Sequence, residues 1–164
     1  MDHALTTLAP RPSSPAQADQ SRALILEMEA RMREIPGVQV GDMKECPLKH
    51  AFADGVYVRE IFIPKDTLIV GKIHRHAHPN FLMSGEVSVF TEQGGVQRLK
   101  APMSIISPAG TKRVVYAHED TVWVTVHVTK ETDVEKIEQQ VIAKTYAQFE
   151  RDRRWPWLRW WQRR

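Results

Sequence analysis

Three of the chain's seven histidines fall two residues apart in GKIHRHAHPNF (residues 71–81), as His74, His76 and His78. In an extended strand, residues i, i+2 and i+4 project to one face, so this spacing would aim three imidazoles the same way. Imidazole nitrogen suits zinc, iron, nickel, copper and manganese, and three converging rings hold one ion with positions left open. The same pattern also fits a proton-handling site, or a row of solvated histidines at the end of a strand.

The surrounding segments decide whether such a face turns inward. From Val56 the chain becomes short β-branched runs: VYVREIFI (56–63), TLIVGKIH (67–74), EVSVFT (86–91), VQRLK (96–100), SIIS (104–107), RVVYA (113–117) and TVWVTVHV (121–128). Pro64-Lys65-Asp66, Ser84-Gly85, Pro108-Ala109-Gly110 and His118-Glu119-Asp120 separate them. Short strands at this spacing with Gly/Pro turns predict an all-β sandwich or barrel.

A helix is expected on each side of the barrel. Asp19 or Ser21 could cap the first, whose Leu24, Ile25, Met28, Met32 and Ile35 approximate helical spacing before Pro36-Gly37 stops it. It would pack on its own barrel or on a second subunit. Thr132 to Glu135 reads as a capping box, opening a helix from about Asp133 to Asp152 with Val134, Ile137, Val141, Ile142, Thr145 and Phe149 as its apolar stripe. The organisation expected is therefore a Pro-rich flexible segment (1–18), a helix and lead-in (19–55), a barrel (56–130), a second helix (131–152) and a tail (153–164).

Composition narrows the setting. At 164 residues and 42% hydrophobic content, one domain with a real core is expected, and no apolar run is long enough to span a membrane as a helix. The N-terminus lacks the charged-then-apolar pattern of a secretory signal, and a lone Cys46 makes an intrachain disulfide impossible, so a reducing, cytoplasmic setting is expected. The net charge of +3 sits in the last fourteen residues, RDRRWPWLRWWQRR, where six arginines and one aspartate give +5 and leave −2 on the rest. The body is thus not expected to bind nucleic acid. Arg interleaved with four of the five tryptophans suits a lipid interface, stacking on nucleic-acid bases, or docking on a protein partner.

His74-Arg75-His76, Ser84-Gly85-Glu86 and Pro108-Ala109-Gly110, in that order, resemble the two motifs of the cupins over roughly residues 55–130. That resemblance implies a double-stranded β-helix (jelly-roll) barrel and a single divalent transition metal: iron, manganese, zinc or nickel. The pattern departs from the family in places. The position usually held by Glu falls on His78 when counted back from Gly85, and on Asn80 when counted forward from His76. In the second motif Pro102, Arg113 and Ala117 stand where Gly, His and Asn are usual. Arginine keeps its proton and cannot ligate, so one ligand is missing.

His127 is the candidate replacement. If 113–117 and 121–128 form a hairpin turning near Asp120, His127 faces Arg113 across the strands; a turn centred half a residue earlier sends it to the opposite face. The expected site is therefore His74, His76, His78 and His127 on the metal. Arg113 would clamp a small anion such as a carboxylic or keto acid, or else serve as a structural arginine paired with Glu86, Glu119 or Asp120. Lys72 shares the parity of His74. His118 is expected in solvent, and Cys46 is expected to be inert. Fe(II)-dependent oxygenation or Lewis-acid isomerisation would suit such a site. More loosely, FADGVYVREIFIP and SPAGTKRVVYAHEDTVWVTVH resemble small cupin-like proteins carried by tailed phages and prophages, which implies host cytoplasm and virion association. The alternative is a non-enzymatic barrel used for assembly, expected as a homodimer, with the tail as its docking element.

Overall fold

Alternation of inward apolar and outward polar residues builds two facing antiparallel sheets. The computed structural model describes residues 14–39, 44–92 and 95–154. One sheet runs β1 (Leu48–Ala53), β2 (Val56–Ile63), β10 (Thr121–Val128), β5 (His78–Ser84), β8 (Met103–Ser107). The other runs β3 (Leu68–Val70), β9 (Arg113–Ala117), β6 (Glu86–Thr91), β7 (Gly95–Lys100). Leu82, Val87, Val89, Ile105, Ala117 and Trp123 fill the space between them. Burying each large side chain of this kind contributes about 1.5–3 kcal/mol. Gly85 makes the β5–β6 turn possible: its φ is +89°, and a Cβ there would stand 2.6 Å from the Asp120 carbonyl oxygen.

The helices differ from expectation at their ends. α1 (Pro15–Arg33) starts earlier than Asp19, because Ser14 caps it by accepting from Gln17 N (3.3 Å) and Pro15 suits the first helical position. It docks through fully buried Ile25, with Glu29 pairing to Lys112 at 3.1 Å. The single helix expected over 133–152 is two. α2 (Val134–Val141) is capped by Asp133, whose carboxylate accepts from Glu135 N and Lys136 N. Extended Ile142 then ends it, and β11 (Ile142–Ala143) pairs with β4 (Ile73–His74). The β-branched Val141-Ile142 pair favours that change, since such side chains crowd a helix and fit a pleat. α3 (Tyr146–Arg154) follows and packs Phe149 against Gly110, where any Cβ would stand 2.7 Å from the ring.

Two strand expectations are corrected. Segments 113–117 and 121–128 are not a hairpin: β9 pairs with β3 and β6, and β10 pairs with β2 and β5, so residues 118–120 cross from one sheet to the other. The run 67–74 is not one strand either. It pairs with β9 from Leu68 to Val70, then Gly71 and Lys72 carry it across to β11. α2 lies over one end of the sandwich, with Ile137 and Val141 against Tyr57.

Candidate metal centre

The break in the chain at residues 75–77 shapes the site. β4 ends at His74 and β5 begins at His78, so the continuous strand that would put three histidines on one face does not form. His74 and His78 turn inward, whereas His76 is exposed and stands apart from them. Arg75 holds this bend. Its Nε donates to the Ile142 carbonyl at 2.6 Å, and its guanidinium pairs with Asp152 of α3. The loop after β8 steadies the other side, where Gly110 N donates to the His74 carbonyl at 2.7 Å.

The third ring arrives from the opposite direction. His127 lies on the inward face of β10, beside Tyr57 of β2 in register. The ring centroids of His74 and His78 are 4.2 Å apart, those of His78 and His127 4.7 Å, and those of His74 and His127 5.3 Å. One nitrogen of each lies within 4.8 Å of the other two, so the cluster could hold a metal ion. Zinc–nitrogen bonds of about 2.1 Å put nitrogens on a single ion roughly 3 to 4 Å apart, so small ring rotations complete the fit.

Hydrogen bonding and charge agree with that use. His78 Nδ1 lies 3.0 Å from the His76 carbonyl oxygen, which can only accept, so Nδ1 carries the proton and Nε2 keeps a lone pair. That Nε2 is buried without a hydrogen-bond partner, as is His74 Nδ1. Buried polar atoms are normally paired, so two orphaned nitrogens in one cluster call for an external partner. Burial, aided by the Arg113 charge, brings His78 down to about 4. Burial also brings His127 to about 4, and pushes His74 well below the ordinary histidine value. All three are therefore neutral at pH 7, the form that ligates.

Asn80, the other residue at the usual Glu position, is fully committed. Its Oδ1 accepts from Trp123 Nε1 (3.0 Å), and its Nδ2 donates to the His78 carbonyl (3.1 Å) and to Ser107 Oγ (2.7 Å). Arg113 is buried beside the cluster. It donates to Ser107 Oγ, lies 5.6 Å over the Trp123 ring and leaves Nε unpaired. Desolvation lowers it to about 10, against the raising field of Glu92, so it stays charged. None of the acids expected to neutralise it does so. Glu86 pairs with Arg98 and Lys100, and Asp120 accepts from Lys65 N. The chain carries Arg113 and His127 in different sheets, so they face one another across the interior rather than along a hairpin.

A cavity of about 190 Å³ opens from the cluster. His74, His127, Arg113 and Trp123 line it, together with Arg59 and Tyr57, and α2 roofs it through Val134, Ile137 and Val141. Lys72 reaches its rim and pairs with Glu138 of α2. Sequence reasoning missed Arg59 and Tyr57. The signal was available in VYVREIFI, where both share the parity of Ile61 and Ile63. His50 also lines the cavity and shares a 2.7 Å hydrogen bond with the Tyr57 hydroxyl. His118 is half-buried and bonded to Ser88 Oγ at 2.7 Å rather than solvated, and Cys46 lies in the apolar core. The Trp/Arg-rich tail beyond Arg154 lies outside the described residues. No helix among the described residues is long and apolar enough to cross a membrane.

No protein-family model matches this sequence, and no curated protein matches it. Solved structures resemble it in fold. Ectoine synthase from P. lautus is 15% identical, with a TM-score of 0.50, over 70% of this chain and 88% of that one. KdgF from Halomonas sp. is 16% identical (TM-score 0.48) over 58% and 90%. An RmlC-like cupin family protein with a double-stranded β-helix fold, from Methanocaldococcus jannaschii, is 12% identical (TM-score 0.46) over 60% and 93%. The fold is thus a double-stranded β-helix (jelly-roll) barrel, with helices before and after it. Identities this low carry the fold and nothing of the reaction.

Proposed function

We propose that this chain binds one divalent transition metal through His74, His78 and His127 and holds a small anionic molecule beside it, as an oxygenase or isomerase. The observation that carries this reading is the pair of buried, partnerless nitrogens on His74 and His78, in a cluster of three neutral rings. Three neutral ligands leave the charge of a divalent ion uncompensated, and Arg113 adds another positive charge nearby. Such a site favours an anion from solution over a neutral molecule. Iron, manganese, zinc or nickel would supply Lewis acidity there, and iron would also supply redox chemistry. Arg113 is fixed by Ser107 and Trp123, so its unpaired Nε meets a ligand without reorganising.

Metal analysis of protein purified without a histidine tag tests this. The expected result is near one equivalent of a transition metal, lost in His74→Ala/His78→Ala and retained in His76→Ala. Metal-free wild-type protein, with stability unchanged by the double substitution, would overturn it. A second reading, an assembly or interaction protein, draws on exposed Leu24 and Met28 of α1 and Ile35 just beyond its end, which border the docked Ile25. A homodimer or a partner protein seated on those residues would serve it, as would the phage-like setting and the Trp/Arg tail. The metal-free outcome would leave this reading standing.

A further inference from the structure

We propose that Arg59 anchors the carboxylate of a short monocarboxylic acid whose apolar body fills the rest of the cavity. This deepens the proposed function and takes from it only that the cavity is a ligand site.

Arg59 is half-buried on the inward face of β2, opposite Thr125 of β10 and His50 of β1. Its guanidinium has no hydrogen bond or ion pair within the described residues, and it acts electrostatically on His74 and His127. The neighbouring cations each have a protein partner already. Lys72 is paired with Glu138, and Arg113, over the Trp123 ring, donates to Ser107 and keeps only Nε open. Arg59, Lys72 and Arg113 thus face Glu138 alone among the charged residues lining the cavity. A partly desolvated guanidinium without a counter-ion is unfavourable, and its planar fork matches the two oxygens of a carboxylate.

The rest of the wall sets the body of the ligand. Ile61, Ile63, Ile69, Val115 and Trp123 offer carbon surface and few donors. A phosphate would leave oxygens unanswered there, whereas an acid with an aliphatic or aromatic body would not. The volume of about 190 Å³ limits its size. A cavity of about 150 Å³ holds benzene, so roughly six to nine non-hydrogen atoms fit.

Calorimetric titration of the full chain with butanoate, 3-methylbutanoate and benzoate, with metal content measured in parallel, tests the assignment. Benzamide and inorganic phosphate serve as controls. Saturable binding of at least one acid is expected, with benzamide and phosphate at least about tenfold weaker. Arg59→Met, which keeps the aliphatic stem, should weaken the acid at least about tenfold and leave metal content unchanged. Arg59→Lys, which keeps the charge and loses the fork, should fall between the two and guards against misfolding of the first variant. Undiminished acid binding by Arg59→Met or Arg59→Lys, no binding of any acid by wild type, or phosphate binding tighter than the acids overturns the proposal. Metal-loaded protein with Arg59-independent binding sinks this assignment and spares the metal reading. Arg59-dependent binding by metal-free protein does the reverse.

Discussion

The interior of this barrel has two ends, built by the same strands. β10 contributes His127 to one end and Trp123, which also lines the cavity, to the other; β5 contributes His78 and Leu82; β9 contributes Arg113 and Ala117. At the apolar end, Leu82, Val87, Ile105 and Ala117 are sealed from solvent, and the buried Trp123 finds its hydrogen bond on Asn80. At the other end His74, His78 and Arg113 each keep a buried nitrogen without a partner. One end satisfies every rule of a stable core and the other breaks them in one small volume. Sites that break local rules together in this way are where function is expected.

Acid should separate the two ends most strongly. His78 and His127 stand at about 4 in the folded chain against an ordinary 6.5, with burial the first cause. Between those values the unfolded chain binds protons that the folded chain refuses, so stability is full above about pH 6.5 and falls as pH drops towards about 4. Each ring accounts for about 3 kcal/mol of that loss. Urea unfolding of chelator-treated protein between pH 7.5 and 4 should show the decline, and a His78→Gln/His127→Gln variant should flatten it. An unchanged slope in that variant would remove the imidazole end from the explanation.

A cavity in the apolar end should act differently. Leu82 is fully buried among Val87, Ile105 and Trp123. Leu82→Ala should lose about 3 kcal/mol at pH 7.5. The pH slope and metal stoichiometry should stay as in wild type, because no ring nitrogen is touched. Loss of metal in this variant would show that the two ends are not separable.

How far the sequence foretells each end follows from the same geometry. Strand parity says which residues point inward, and the runs 56–63, 86–91, 113–117 and 121–128 emerge with those very limits. Parity does not say to which end an inward residue goes, nor which strands share a sheet. His127 points inward on β10, yet the hairpin argument for it fails because β9 lies in the opposite sheet. Spacing alone put His76 with His74 and His78. A bend at 75–77 removes it, and that bend is fixed by Arg75 reaching Ile142 and Asp152, contacts across more than sixty residues. β1 and β5 were not legible: β1 is an edge strand with mostly exposed residues, and β5 carries Pro79. Proline is tolerated there because pairing with β10 begins only at Asn80.

Asn80 sits at the seam, and the smallest effect expected is also the sharpest probe. Its amide binds Trp123 on the apolar side, and the His78 carbonyl and Ser107 on the other. Ser107 in turn receives Arg113, so one side chain ties the core tryptophan to a ring and a cation of the site. Asn80→Ala strands the Trp123 N–H and the His78 carbonyl in a dry interior and should cost about 2 kcal/mol. Because those bonds orient His78, metal affinity measured by competition with a chelator should also fall, by about tenfold. Serine at position 107 offers the check: Ser107→Ala removes one Asn80 bond and leaves the Trp123 and His78 contacts, so it should weaken metal binding less than Asn80→Ala. If both variants lose stability while metal affinity stays at the wild-type value, the seam only fills space, and His78 takes its orientation from the His76 carbonyl alone.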